Sequence, residues 1–240
     1  MTDNLMIDRK MPKSPKKYNW YKRWYEKRVG LNLPSYTLGE EIFSAVSHGV
    51  TALMGLAGLI LLLVFCRKEA LTVVSCCIYA VSLIIMFSVS CIYHALGINK
   101  GKKAFQILDH CAIFLLIAGT YTPMSLIALG GIKGILLCAF VWAVAVLGIV
   151  LNSLDLKKYA KFSMACYIIM GWSVIITIKD FYVQAGAVTF AFLLAGGIVY
   201  TLGAILYGMG KKIPYIHSVW HIFVSVAAVL QFISVFRVAV

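Results

Sequence analysis

At 240 residues, 62% of them hydrophobic and only 13% charged, the chain carries more apolar surface than a soluble fold of its size can bury, so lipid must solvate much of it. The net charge of +13 would suit a nucleic-acid binder. The basic residues, however, sit in a leading tail and in short breaks between apolar runs, the distribution of a membrane protein, and membrane lipids rather than nucleic acid are the expected partners.

Residues 1–36 form the tail, and 37–240 one transmembrane domain. Nothing in Met1–Tyr36 has the apolar core of a cleavable signal peptide. Trp20 and Trp24 are four apart, as are Tyr21 and Tyr25, among many lysines and arginines. In a helix they make an aromatic stripe suited to the inner membrane surface; a basic tail held by anionic lipid is the alternative. Seven apolar runs follow, over Ile42–Phe65, Leu71–Leu96, Phe105–Leu129, Ile132–Leu151, Tyr159–Ile178, Ala185–Leu206 and Ile213–Phe236. Each is near the ~20 residues that cross ~30 Å of hydrocarbon. The expected fold class is therefore an all-α membrane protein, a bundle of seven transmembrane helices. With the N-terminus cytoplasmic and the C-terminus outside, 17 of the 22 lysines and arginines face the cytoplasm, as the positive-inside rule requires. The seven cysteines form no C-x-x-C pair and read as small packing residues.

Ionisable side chains inside a membrane are costly and need a reason. Asp109 is the one carboxylate well inside an apolar run, and all five histidines lie in or at the ends of such runs. The topology puts His94 at the cytoplasmic end of the second span, Asp109 near the start of the third, and His217 and His221 in the first turns of the seventh. Four residues on three helices thus share one depth. His217 and His221 are four apart and stack on one helix face, where two imidazoles can hold one metal ion. Ser90 and His94 have the same spacing. Three neutral imidazoles leave a fourth tetrahedral position for water, with Asp109 placed near it.

Hydrogen bonding between helices, or a place at the headgroup level, is the alternative for each histidine taken alone. His110 points about 100° away from Asp109 and is expected to pack or to meet a headgroup. His48, with Ser44 and Glu41 on the same helix, reads either as a partner holding a metal ligand or as an interfacial residue. Glu40 and Glu41 suit a helix N-terminus, and Glu41 is also carried as a partner of a ligand. Pro123 is expected to bend the third helix. Gly196, Gly197 and Gly203 are expected to allow close helix contacts, and Pro214 to occupy a first turn.

Ser90-x-x-x-His94, the run Leu108–Phe114 with Thr120-Tyr121-Thr122-Pro123, and His217-x-x-x-His221 together resemble the haemolysin III family, which belongs with the progestin and adiponectin receptors. Thr37–Ile42 with Ser47-His48-Gly49 is similar to its bacterial branch. The resemblance spans roughly 36–240. It implies a zinc held by His94, His217 and His221, an Asp109 that holds the zinc-bound water, and a Ser90 that assists near the reacting carbonyl. It also implies kinship with metal-dependent membrane hydrolases, ceramidase activity being attributed to the receptor branch, and a role in membrane-lipid homeostasis.

Three functions compete. The first is a zinc hydrolase of lipid amides or esters, sited near the cytoplasmic face of the cell membrane, with Asp109 as general base and Ser90 donating to the oxyanion. Lys102, Lys103, Lys211 and Lys212 would attract anionic headgroups there, or merely set the topology. The second is a pore-forming haemolysin, which a cluster of polar groups at one end rather than through the midplane disfavours for a monomer. The third is a non-catalytic lipid sensor or receptor. A retinal pigment is excluded, because the seventh run has no lysine for a Schiff base.

Overall fold

The computed structural model describes residues 26–209 and 213–240. Every long element among them is a helix. We label them α1 (Leu38–Phe65), α2 (Ala70–Ala95), α3 (Lys100–Pro123), α4 (131–154), α5 (156–185), α6 (Ala187–Met209) and α7 (Ile216–Ala239). Most of the tail, with its aromatic stripe, lies outside the described residues, as do Lys211 and Lys212; 26–30 are helical.

The fourth and fifth spans form one apolar stretch, Gly131–Ala185, of 55 residues. At 1.5 Å per residue a straight helix of that length would run about 80 Å, more than twice a bilayer core. The chain breaks it at Asp155, whose φ of −157° and ψ of 95° are not helical. Asp155 Oδ1 accepts from the backbone N–H groups of Lys157 and Lys158, at 3.0 and 2.9 Å. It therefore caps the start of α5. Among the described residues, six separate stretches are long and apolar enough to cross a membrane, and this break makes the long one two helices. α5 passes through a 3₁₀ turn at Ser173–Thr177 before its last segment, Ile178–Ala185.

α1 opens on a capping box. Thr37 Oγ1 accepts from the Glu40 N–H, and the Glu40 carboxylate accepts from the Thr37 N–H at 2.7 Å. Glu40 also accepts from the Tyr215 N–H at 2.8 Å, tying the start of α1 to the start of α7. Ser44 meets Ser218, and one register further along Thr51 donates to Ser225 at 2.8 Å. Both pairs are 174 residues apart. A constant offset is the signature of parallel neighbours, so α1 and α7 begin at the same end of the bundle. Sequential helices α1, α2, α3 and α4 pack in turn, α6 packs on α7, and α6 barely touches the α4–α5 pair.

Small residues allow the close approaches. A Cβ on Gly58 would meet Phe232 at 2.8 Å, and one on Gly119 would run into Ser82. Gly196 and Gly203 do pack closely, against Gln231 and against Phe223 and Trp220, but Gly197 opens on empty space. The outer face carries Val46, Val50, Leu53 and Ile60 of α1 and their counterparts elsewhere, exposed as lipid contact requires. Pro123 is the last α-helical residue of α3. Its missing N–H coincides with a shift to π-helical turns over Met124–Leu129, and the helical stretch ends at Gly130, at φ 62°. Pro214 lies ahead of α7 rather than in its first turn, because the helix starts at Ile216 after Tyr215, held at φ 62°. All seven cysteines are free thiols.

Candidate metal centre

His94 sits on the last turn of α2, and His217 and His221 on the first turns of α7. All three are buried, at 3%, 6% and 0% exposure. One nitrogen from each lies within 4.8 Å of the other two. The Nε2 atoms of His217 and His221 are 3.2 Å apart. Two nitrogens bound to one tetrahedral zinc at 2.0–2.1 Å are about 3.3 Å apart, so the α7 pair has the spacing of a bidentate bite.

His94 is held from behind. Glu41 Oε2 is 2.8 Å from its Nδ1, which fixes the proton there and leaves the Nε2 lone pair facing the other imidazoles. That buried Nε2 has no hydrogen-bond partner. Buried polar atoms are seldom left so. A divalent cation between the three nitrogens satisfies Nε2 and removes the contact between two imidazole nitrogens. The donor set, three imidazoles and no thiolate, fits zinc.

Glu41 Oε1 is engaged too. Arg28 approaches it at 3.1 Å and Lys102 Nζ at 3.0 Å. Lys102 is 2% exposed, and its ammonium also donates to the carbonyls of Tyr93 and Leu96, at 2.9 and 3.0 Å. It thus caps the C-terminal end of α2 just beyond His94, where a helix dipole favours a cation. A cap this buried is not open to headgroups, which removes the headgroup-attracting reading of Lys102. Lys103 instead reaches Gln106 at 2.9 Å. Arg28 also donates to the Pro34 carbonyl and draws the end of the tail onto the site.

Tyr36 completes that cover. Its ring stacks on His217, with centroids 4.3 Å apart and planes 13° apart. Burial pushes its phenol well above the usual tyrosine range, so it remains a neutral group. Sequence reasoning missed Arg28 and Tyr36 altogether, and missed the part Lys102 plays at this centre. The one local signal was the place of Lys102 in the first turn after a tight connection, facing the carbonyls of the preceding helix.

His48 is fully buried, which removes the interfacial reading. It packs on His221 with centroids 3.9 Å apart and edge-on to Phe87 at 4.8 Å, and makes no hydrogen bond to the three histidines through its side-chain nitrogens. Ser90 is buried one turn before His94, with an unpartnered hydroxyl. Asp109, 6% exposed, lines a cavity of about 410 Å³ that also reaches His217 and Tyr36. His110 lines it as well, and its ring meets the Gln106 carbonyl and the Tyr207 hydroxyl rather than a headgroup. The cavity continues between α3, α5, α6 and α7, past Leu116, Ile175, Leu194 and Val224, to Gln231 near the far end.

Helices that cross a membrane, with three buried histidines converging at the shared starting end of α1 and α7, define a multi-pass membrane protein with a candidate metal centre. A family model described as Haemolysin-III related matches residues 36–232. The chain is 41% identical over 198 residues to Hemolysin-3 of Bacillus cereus, covering 82% of this chain and 90% of that protein. It is 37% identical over 202 residues to the Hemolysin-3 homolog of Bacillus subtilis, covering 83% and 94%. The human monocyte to macrophage differentiation factor is 27% identical over 166 residues, or 67% of this chain and 68% of that one. This chain belongs to the haemolysin III family, within the progestin and adiponectin receptor superfamily.

Proposed function

We propose that the protein is a zinc-dependent membrane hydrolase of lipid amides or esters, with its centre near the cytoplasmic face of the cell membrane and a role in membrane-lipid homeostasis. The observation that carries this reading is the meeting of two features at one place. The His94–His217–His221 cluster, with its unpartnered His94 Nε2, adjoins an apolar cavity at His217, and Asp109 lines that cavity. Its 410 Å³ is within the usual range for a small-molecule site, and its walls suit an alkyl chain rather than a hydrated ion. That lining favours a lipid substrate over a lytic pore. Cytoplasmic placement rests on the excess of lysine and arginine at the end where α1 and α7 begin.

His94, His217 and His221 would hold the zinc, which supplies a water of lowered pKa and polarises a carbonyl. Asp109 takes the water's proton and delivers it to the leaving amine or alcohol. Ser90 has a free hydroxyl to donate to the developing oxyanion. Glu41 keeps the His94 proton on Nδ1, and Tyr36 covers the outer face of His217. The thin contact between α6 and the α4–α5 pair offers a lateral path for a lipid chain.

The test is elemental mass spectrometry on detergent-purified protein, followed by a fatty-acid release assay on N-acyl and O-acyl lipids. About one zinc per chain is expected, with release lost in Asp109→Asn while the metal stays. Bound metal with no release from either lipid class would overturn the hydrolase and leave a lipid sensor. No metal after zinc is supplied would overturn the centre itself.

A further inference from the structure

The far end of the cavity carries polar atoms that hydrolysis leaves idle. Gln231 on α7 is 6% exposed and lines the cavity. Its Nε2 donates to the Leu193 carbonyl at 3.1 Å, and because a carbonyl can only accept, the orientation of the amide is set. The other end, Oε1, is buried and accepts nothing. Ser125, in the π turn after Pro123, is 1% exposed and lines the same cavity, and its hydroxyl is likewise unpartnered. Tyr93 at the histidine end of the cavity also has an unpartnered hydroxyl, whereas two polar groups further along are committed. Tyr121 OH donates to the Gly171 carbonyl and accepts from the Val174 N–H, and Thr201 donates to the Gly197 carbonyl. Two buried side chains with open hydrogen-bonding capacity in an apolar chamber call for a ligand that brings a polar atom there.

Helix rise puts the two at similar depths. Gln231 is fourteen residues beyond His217 on α7, about 21 Å along the axis, and Ser125 is sixteen beyond Asp109 on α3, about 24 Å. The π turn that holds Ser125 packs against α7. An extended alkyl chain of ~1.5 Å bonds advances about 1.25 Å per carbon, so about 16 to 18 carbons span the distance from the histidines.

We propose that the cavity takes an acyl chain of about 16 to 18 carbons bearing a hydroxyl at or next to its distal end, captured between Gln231 and Ser125. That hydroxyl donates to Gln231 Oε1 and accepts from Ser125 Oγ, satisfying both atoms at once. The proposal rests on the reading of the cavity as an acyl-chain site, and it adds the class of chain. A trapped water is the competing occupant.

The test is displacement of radiolabelled hexadecanoic acid from the full-length, purified protein by 16-hydroxyhexadecanoic acid or by unlabelled hexadecanoic acid. The two competitors share a head group, so only the distal end differs. The hydroxylated acid is expected to compete about tenfold better. Ser125→Ala should cut that preference to about threefold or less, with the affinity for hexadecanoic acid unchanged. Equal competition by both acids would overturn the distal subsite and assign its polar atoms to water, with the acyl-chain cavity intact. A preference that survives Ser125→Ala would also overturn it. Failure of hexadecanoic acid itself to bind would bring down the subsite and the acyl-chain reading together.

Discussion

The histidine end and the cavity flank of this bundle are built in opposite ways. At the histidine end, α1, α2, α3 and α7 are cross-linked by side chains. Glu41 alone joins His94, Arg28 and Lys102, and Glu40 joins α1 to α7. Along the flank, α5 and α6 border the cavity and are joined by few contacts, among them the Trp172 Nε1 donation to Thr201 at 3.0 Å, and Gly197 meets nothing within 4 Å of where a Cβ would stand. A rigid polar shoulder holds three imidazoles in place, while the loosely packed side leaves room for a guest. The division teaches that metal retention and chain binding should be separable by mutation.

The largest effect should come from His217→Ala/His221→Ala. Metal content should fall from about one ion per chain to almost none, with the far-UV spectrum retained, since three-coordinate protein sites lose their ion when the bidentate pair goes. Glu41→Gln comes next. It keeps the shape and removes the charge that orients His94, so metal affinity measured against a competing chelator should weaken roughly 10- to 100-fold. Glu41→Ala goes further, leaving Arg28 and Lys102 without their buried carboxylate, and should cost about 3–5 kcal/mol in reversible unfolding.

Gly197→Phe tests the other region. It has space to enter the cavity, so it should weaken acyl-chain binding by about tenfold or more and leave zinc content untouched. If both properties fell together, the separation would be wrong. The smallest effect is expected at Lys133–Asp180, a 2.6 Å pair at the other end of the bundle whose side chains are 63% and 40% exposed. Breaking it should move thermal stability by less than about 1 kcal/mol.

The spans were legible because a bilayer demands about 20 apolar residues at a time, and the charged breaks between runs match the ends of most helices. The limits were local. α5 begins three residues before Tyr159 because Asp155 caps it, and α7 begins at Ile216 because Tyr215 turns the chain. The shared depth of His94, Asp109, His217 and His221 was legible once the topology was laid out, and the structure brings the three histidines together. It does not set all four side by side, since Asp109 faces the cavity and makes no hydrogen bond to the histidines among those found. The clamp of Arg28, Glu41 and Lys102 was illegible, because its members lie on different elements and no periodicity connects them. Glu41 was read mainly as a helix-terminus acid, and the same position serves the histidine as well.

The parallel pairing of α1 with α7 has a consequence for biogenesis. The candidate centre takes one histidine from α2 and two from α7, about 120 residues later in the chain, and α7 is located by hydrogen bonds to α1. At ribosomal speeds of about 5–20 residues per second, His94 waits roughly 6 to 25 s for its partners. A nascent chain that stalls before the last helix has only His94 of the three clustered imidazoles. With the proposed metal bound at this centre, its capture would report that every helix has been threaded and that the first has found the last.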